Sequence, residues 1–295
     1  MKIATYWHAG TRHVGRLSAD GSTLTPLMAG EQARDIGALA LIEGMARGLP
    51  LPAEAGDPVP LASVTLDAPL PRPRRNIFCV GKNYHEHARE FARSGFDTSL
   101  AKPGDDIPSH PIIFSKVPDA VIGPGCAIRI PAGVSEAIDY EAELAVVIGR
   151  GGRGIPASQA MAHVWGYTII NDVTARDWQQ RHKQWLLGKS FDTFCPMGPW
   201  LVTSDELNGG DVRVRCWVND ELRQDGRTSD LIFDIPTLIE TISTAITLHP
   251  GDLISTGTPV GVGIGFNPPR YLQAGDRVRI EIDGIGVLEN PVERS

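Results

Sequence analysis

A chain of 295 residues, 42% hydrophobic and 21% charged, is long enough to bury one large core. Its formal net charge of -7 argues against nucleic acid as a partner, and no apolar run reaches the ~18 residues of a membrane span. Four scattered cysteines without a Cys-x-x-Cys pair and an N-terminus without a signal-type apolar core predict a cytoplasmic protein, while Gly 32 with Pro 23 favours a β-rich, turn-rich fold.

Residues 1–72 read as a small N-terminal α+β unit with its linker, ahead of a second unit over 73–295. Short strands are predicted near Met1–Trp7 and His13–Leu17, then a helix from Glu31 to Arg47 with Ala38, Leu41, Ile42 and Met45 on one face. The proline-rich run Pro69-Leu-Pro-Arg-Pro-Arg-Arg75 reads as the linker. Asn76–Gly81 is a short strand that leads into a helix, in which His87 and Glu90 share one face at i and i+3. Such a pair makes a histidine more basic and fixes its tautomer; the bland alternative is a solvated helix of mixed charge. Residues 91–110 have loop composition and could act as a lid or as an inert surface loop. A further strand, 111–116, ends on Lys116.

The run from Ile138 to Gly149 is a buried strand interrupted by Glu141 and Glu143, which share a face roughly 6 to 7 Å apart. Apolar Ala145 and Val147 continue that face, which argues against two merely solvated glutamates. A second apolar strand, Trp165 onward, ends on Asp172 just before a helix start. If the two strands are neighbours, Glu141, Glu143 and Asp172 form an all-oxygen set that suits Mg²⁺ or Mn²⁺, with Ca²⁺ a third choice. The helix after Ala175 carries Arg176 and Gln179 in its first turns. Val212–Val218 with Asn219-Asp220 reads as a hairpin, and Asp234 to Leu248 reads as a helix. The glycines of Gly261-Val-Gly-Ile-Gly265 are wrongly spaced for dinucleotide binding, and no helix follows them.

Four runs then fall in one order: Asp139-Tyr-Glu-Ala-Glu-Leu144, Asn171-Asp-Val-Thr-Ala-Arg-Asp177, Gly188-Lys-Ser-Phe191 and Thr256-Gly-Thr-Pro259. Over about residues 75 to 295 the chain resembles the fumarylacetoacetate hydrolase family, nearest to its acylpyruvate hydrolase and oxaloacetate decarboxylase members. The resemblance implies a mainly β, mixed α+β fold, a sandwich or roll with peripheral helices, assembled as a homodimer. It also implies a metal-dependent enzyme acting on small anionic 2-keto acids. Asn83-Tyr-x-x-His87-x-x-Glu90 matches the family's catalytic pair, which favours His87 as a general base for water, oriented by Glu90. Lys189 would balance the carboxylates and bind an enolate oxygen, or serve only as a structural ion pair. Arg176, Gln179, Lys116, Gly257 and Thr258 are candidate substrate contacts, the last two through a backbone N–H and a hydroxyl. The expected reaction is cleavage of the C–C bond of an acylpyruvate such as fumarylpyruvate, as in aromatic catabolism. The alternatives are oxaloacetate decarboxylation, isomerisation of 2-hydroxyhepta-2,4-diene-1,7-dioate and, more remotely, metal or ligand binding without turnover.

Overall fold

The apolar run Ala142–Ile148 is buried at every position, because it lies inside a sheet covered on both faces. Its alternating side chains serve two cores: Ala142, Leu144, Val146 and Ile148 face one, Ala145 and Val147 the other. The computed structural model describes residues 1–93 and 107–295. Residues 94–106, most of the expected lid, lie outside the described residues.

Among the described residues, one large mixed sheet runs in the order Val59–Pro60, Thr23–Pro26, Thr11–Leu17, Lys2–His8, Cys195–Thr203, Val164–Asn171, Ala142–Ile148, Leu253–Ser255, Ile77–Gly81 and Ile112–Lys116. A second sheet, Glu221–Arg227, Arg213–Val218, Arg277–Ile282, Gly286–Arg294 and Ile128–Ile130, is mostly antiparallel. Its Val214, Cys216, Ile280 and Leu288 pack against Leu144 and Val146 of the first. Short helices, among them Leu39–Ala46, His85–Arg93, Arg176–His182 and Ile235–Ser243, complete a mainly β, α+β architecture. None of the described helices is long and apolar enough to cross a membrane.

Residues 1–72 share sheet and core with the rest of the chain. Lys2 and Ile3 pair with Val202 and Leu201, and Ile3, Leu39 and Ile42 pack with Ile77, Ala145 and Leu253. The proline-rich stretch is tied down too, since the Pro69 carbonyl accepts from Ala38 N–H and from the Thr5 hydroxyl. The helix expected over Glu31 to Arg47 is two helices, Ala33–Ile36 and Leu39–Ala46, broken at Gly37 with φ 61. A Cβ there would sit 2.6 Å from the Thr5 hydroxyl, so the turn admits only glycine. The helix begun at Asp234 does form, with Thr237 N–H on the Asp234 carboxylate at 2.9 Å, but it ends at Ser243 rather than Leu248.

One departure positions the site. The strand expected from Ile138 to Gly149 breaks at Tyr140–Glu141, and Ile138–Asp139 leaves the main sheet to pair with Thr174–Ala175. The break is sealed by Asn171, whose side-chain oxygen accepts from Glu141 N–H at 3.0 Å, and by Asp172 N–H on the Glu141 carbonyl at 2.9 Å. Both strands therefore end together, where the helix Arg176–His182 begins.

Candidate active site

Glu141, Glu143 and Asp172 converge at that point, each buried, with oxygens within 4.8 Å of one another. Burial pushes the Glu143 carboxyl well above the usual carboxylate range, and Asp172 and Glu141 push it further. Ser255 Oγ at 2.5 Å and Gly257 N–H at 3.0 Å donate to Glu143 Oε2. Burial acts on Glu141 in the same direction but is outweighed by Lys189, Arg176 and His87, so this group sits down at about 2.

Two lysines pair with carboxylates of the trio. Lys189 Nζ lies 2.7 Å from Glu141 Oε2 and 2.8 Å from Asp172 Oδ2. Its burial favours the neutral amine, yet Asp172 and Glu141 more than compensate and raise its pKa, so it keeps its proton. Lys116 Nζ lies 2.7 Å from Asp172 Oδ1. With Arg176, these lysines set three cations against the four carboxylates of Asp139, Glu141, Glu143 and Asp172. The cluster is one positive charge short unless Glu143 holds a proton. An all-oxygen, buried, charge-deficient set of this kind fits a hard divalent cation.

Arg176 opens its helix and commits its fork to fixed partners. Its Nε donates to Asp139 Oδ2 at 2.9 Å, and its NH1 reaches Glu141 Oε1 at 2.7 Å and Gln179 Oε1 at 3.2 Å. The remaining NH2 is buried without a partner among the described residues. A buried spare donor on a positioned guanidinium has the charge and direction to bond an anion.

On the facing helix, His87 Nδ1 lies 3.1 Å from Glu90 Oε2, and Glu90 Oε1 accepts from Gly261 N–H at 3.0 Å. A proton on Nδ1 shared with Glu90 leaves Nε2 as the basic atom. His87, Glu141, Glu143, Arg176, Gln179 and Lys189 line one small cavity, with Thr258 at its edge and Phe91, Phe114 and Trp185 as its apolar wall. Phe91 and Phe114 both meet Trp185 edge-on, at 6.2 and 5.2 Å between ring centres.

Two expected substrate contacts are placed otherwise. Lys116 is fully buried and does not line the cavity; its ammonium is used up by Asp172, the Val173 carbonyl and the Lys189 carbonyl, which makes it a counter-ion. Gly257 N–H is occupied by Glu143 and is not available to a substrate. The Thr258 hydroxyl accepts from Gln224 Nε2 at 2.7 Å, and Gln224 Oε1 takes the Ala142 N–H at 3.0 Å. Gln224, Ser255 and Asp139 support the site and were not singled out by sequence. Asp139 alone carried a signal, as a third acid inside the apolar run that holds Glu141 and Glu143.

Residues 76–293 match the family model described as fumarylacetoacetate (FAA) hydrolase, C-terminal. Oxaloacetate tautomerase YisK of Bacillus subtilis (strain 168) is 50% identical over 233 residues, which is 79% of this chain and 74% of that protein. Among solved structures, a fumarylacetoacetate hydrolase from psychrophilic Exiguobacterium antarcticum superposes with a TM-score of 0.83 at 38% identity, covering 100% of both chains. Maleylpyruvate hydrolase from Sphingobium sp. SYK-6, solved with a manganese(II) ion and pyruvate, gives 0.78 at 32% identity, again covering 100% of both.

Proposed function

The chain belongs to the fumarylacetoacetate hydrolase family, and on that premise we propose that it is a divalent-cation-dependent tautomerase that interconverts the enol and keto forms of oxaloacetate. The observation that carries the reading is that one cavity holds a carboxylate-oriented imidazole, a charged lysine and a guanidinium with a spare donor. A keto–enol exchange needs those parts: a group that moves a proton at carbon, a positive charge at the enolate oxygen, and an anchor for a carboxylate.

Glu141, Glu143 and Asp172 would hold Mg²⁺ or Mn²⁺, whose contribution when bound is Lewis-acid stabilisation of negative charge on a keto-acid oxygen. Arg176 binds a substrate carboxylate through NH2 while Asp139, Glu141 and Gln179 hold the rest of its fork. In the keto-to-enol direction, Nε2 of His87 takes a proton from the carbon next to the ketone, and Glu90 steadies the imidazolium that results. Lys189, kept protonated by its two carboxylate partners, offers positive charge to the enolate oxygen as it forms. Solvent then protonates the enolate oxygen to complete the enol and takes up the imidazolium proton; in the reverse direction the enol O–H proton passes to solvent, and His87, protonated from solvent, delivers its proton to carbon. The wall of Phe91, Phe114 and Trp185 limits water, which strengthens each of these charge contacts.

Hydrolysis of an acylpyruvate, the reaction expected from the sequence, becomes the second reading. The His87–Glu90 pair would suit activation of water, and the Sphingobium neighbour is named a maleylpyruvate hydrolase. The tautomerase reading is preferred because the Bacillus relative, at 50% identity, bears that name. The deciding experiment presents the full-length protein, with Mg²⁺ and then Mn²⁺, with the enol form of oxaloacetate and with a panel of acylpyruvates. Accelerated decay of enol absorbance without pyruvate or CO₂ supports tautomerisation. Pyruvate from an acylpyruvate, without faster enol decay, would replace it with hydrolysis; CO₂ with pyruvate from oxaloacetate would replace it with decarboxylation.

A further inference from the structure

The run Gly261-Val-Gly-Ile-Gly265, too irregular for a nucleotide fingerprint, lies against the two arms of the cavity at once. At one end Gly261 N–H donates to both oxygens of Glu90, at 3.0 and 3.3 Å, and the Gly261 carbonyl accepts from the Tyr140 hydroxyl at 2.9 Å. In its middle, Gly263 N–H and Ile264 N–H donate to Asp139 Oδ1 and Oδ2 at 2.7 and 2.9 Å, and Asp139 Oδ2 also holds Arg176 Nε. Buried Val262 and Ile264 pack with Phe91 and Trp185, which anchors the loop to the apolar wall of the same cavity. Gly265 lies so close to Glu90 that a Cβ there would overlap the carboxylate itself.

We propose that this glycine run is a positioning loop that sets the His87–Glu90 pair and the Arg176 anchor in fixed relation to each other, with Asp139 as the positioning residue between loop and anchor. The proposal rests on the reading of His87 as the proton-moving group and Arg176 as the carboxylate anchor. The physical reason for three glycines is close approach: a Cβ would overlap the Arg223 carbonyl at Gly261, the Arg270 carbonyl and the Asp139 carboxylate at Gly263, and the Glu90 carboxylate at Gly265. Two carboxylates that each serve a different functional group are thereby referenced to one short stretch of backbone. Displacing that stretch misplaces both groups together, and small misplacements are costly in rate.

The test uses the full-length protein with Mg²⁺, reading kcat, KM and the imidazole ¹⁵N signals of His87. Gly265→Ala pushes on Glu90, and is expected to lower kcat about 100-fold with little change in KM, and to shift the His87 signals away from the Nδ1–H tautomer. In a Glu90→Ala background the overlap is gone, so the same Gly265→Ala change should add nothing; this also answers the objection that the single variant merely misfolds. Asp139→Asn turns one of two acceptors into a donor facing donors, and should raise KM by about 10- to 100-fold through Arg176. A Gly265→Ala penalty of the same size with Glu90 already removed, or an Asp139→Asn enzyme with unaltered KM, would overturn the proposal. Full activity in His87→Ala would remove the base reading instead, and would leave the ¹⁵N shift caused by Gly265→Ala as the loop's independent signature.

Discussion

Lys116 and Asp172 form an ion pair with no solvent contact at all: Nζ to Oδ1 is 2.7 Å, and both side chains are 0% exposed. A lysine so enclosed is tolerated only because every donor is used, and its removal leaves Asp172 Oδ1 without its partner and Lys189, on Oδ2, as the one cation among the described residues still paired with that buried carboxylate. Lys116→Met is expected to cost about 3 to 5 kcal/mol of stability, read from urea unfolding of the metal-free protein. A loss below about 1 kcal/mol would mean that Asp172 does not depend on this partner.

Glu143 makes the opposite prediction. Its carboxyl is pushed up by burial and by Asp172 and Glu141, so in the absence of a cation its charge is a burden. Glu143→Gln should leave the metal-free protein as stable as the wild type, or slightly more so. It should also weaken Mn²⁺ binding by more than the roughly 10- to 100-fold typical of outer-shell changes. Calorimetric titration with Mn²⁺ and thermal melts with and without the ion measure both halves. Undiminished Mn²⁺ affinity would take Glu143 out of the ligand set.

His87→Ala removes the group placed to move the proton; its ring is hydrogen-bonded to Glu90 and acts on Glu141 through charge, as the third influence after Lys189 and Arg176. Turnover of enol oxaloacetate should fall by about 10²- to 10⁴-fold while Mn²⁺ affinity stays at the wild-type level. A parallel loss of affinity would show that His87 supports the metal site instead.

The acids of the site were legible because a charge in an apolar strand is costly and therefore informative: Glu141 and Glu143 interrupt such a run, and Asp172 ends another. Helical spacing put His87 and Glu90 on one face but left a solvated helix open, and it was the resemblance to the family that favoured them as a catalytic pair. Lys116 was not, since a lysine at a strand end reads the same whether it turns to the cavity or to an acid beneath it. Gly261–Gly265 could be rejected as a nucleotide loop, but its partners Glu90 and Asp139 lie 171 and 124 positions away from the glycines they bind, and no local pattern encodes them. Distance hid the attachment of residues 1–72 as well: Lys2 and Ile3 pair with Val202 and Leu201, far along the chain, so proline-rich composition read as a linker where the fold has a seam.

Arg176 offers the sharpest chemical test. Its planar fork serves Asp139, Glu141 and Gln179 and still has NH2 to spare, a set of directions that a lysine ammonium cannot reproduce with one nitrogen. Arg176→Lys keeps the positive charge, so a purely electrostatic role would survive it. If the guanidinium anchors a substrate carboxylate by direction as well as charge, KM for oxaloacetate should rise by about 10- to 100-fold, with kcat at saturation falling less. Oxalate, a small dianion without a reacting carbon, should lose affinity as an inhibitor by a similar factor, which separates anion binding from chemistry. Equal KM and equal oxalate affinity in the two proteins would place the substrate carboxylate elsewhere in the cavity.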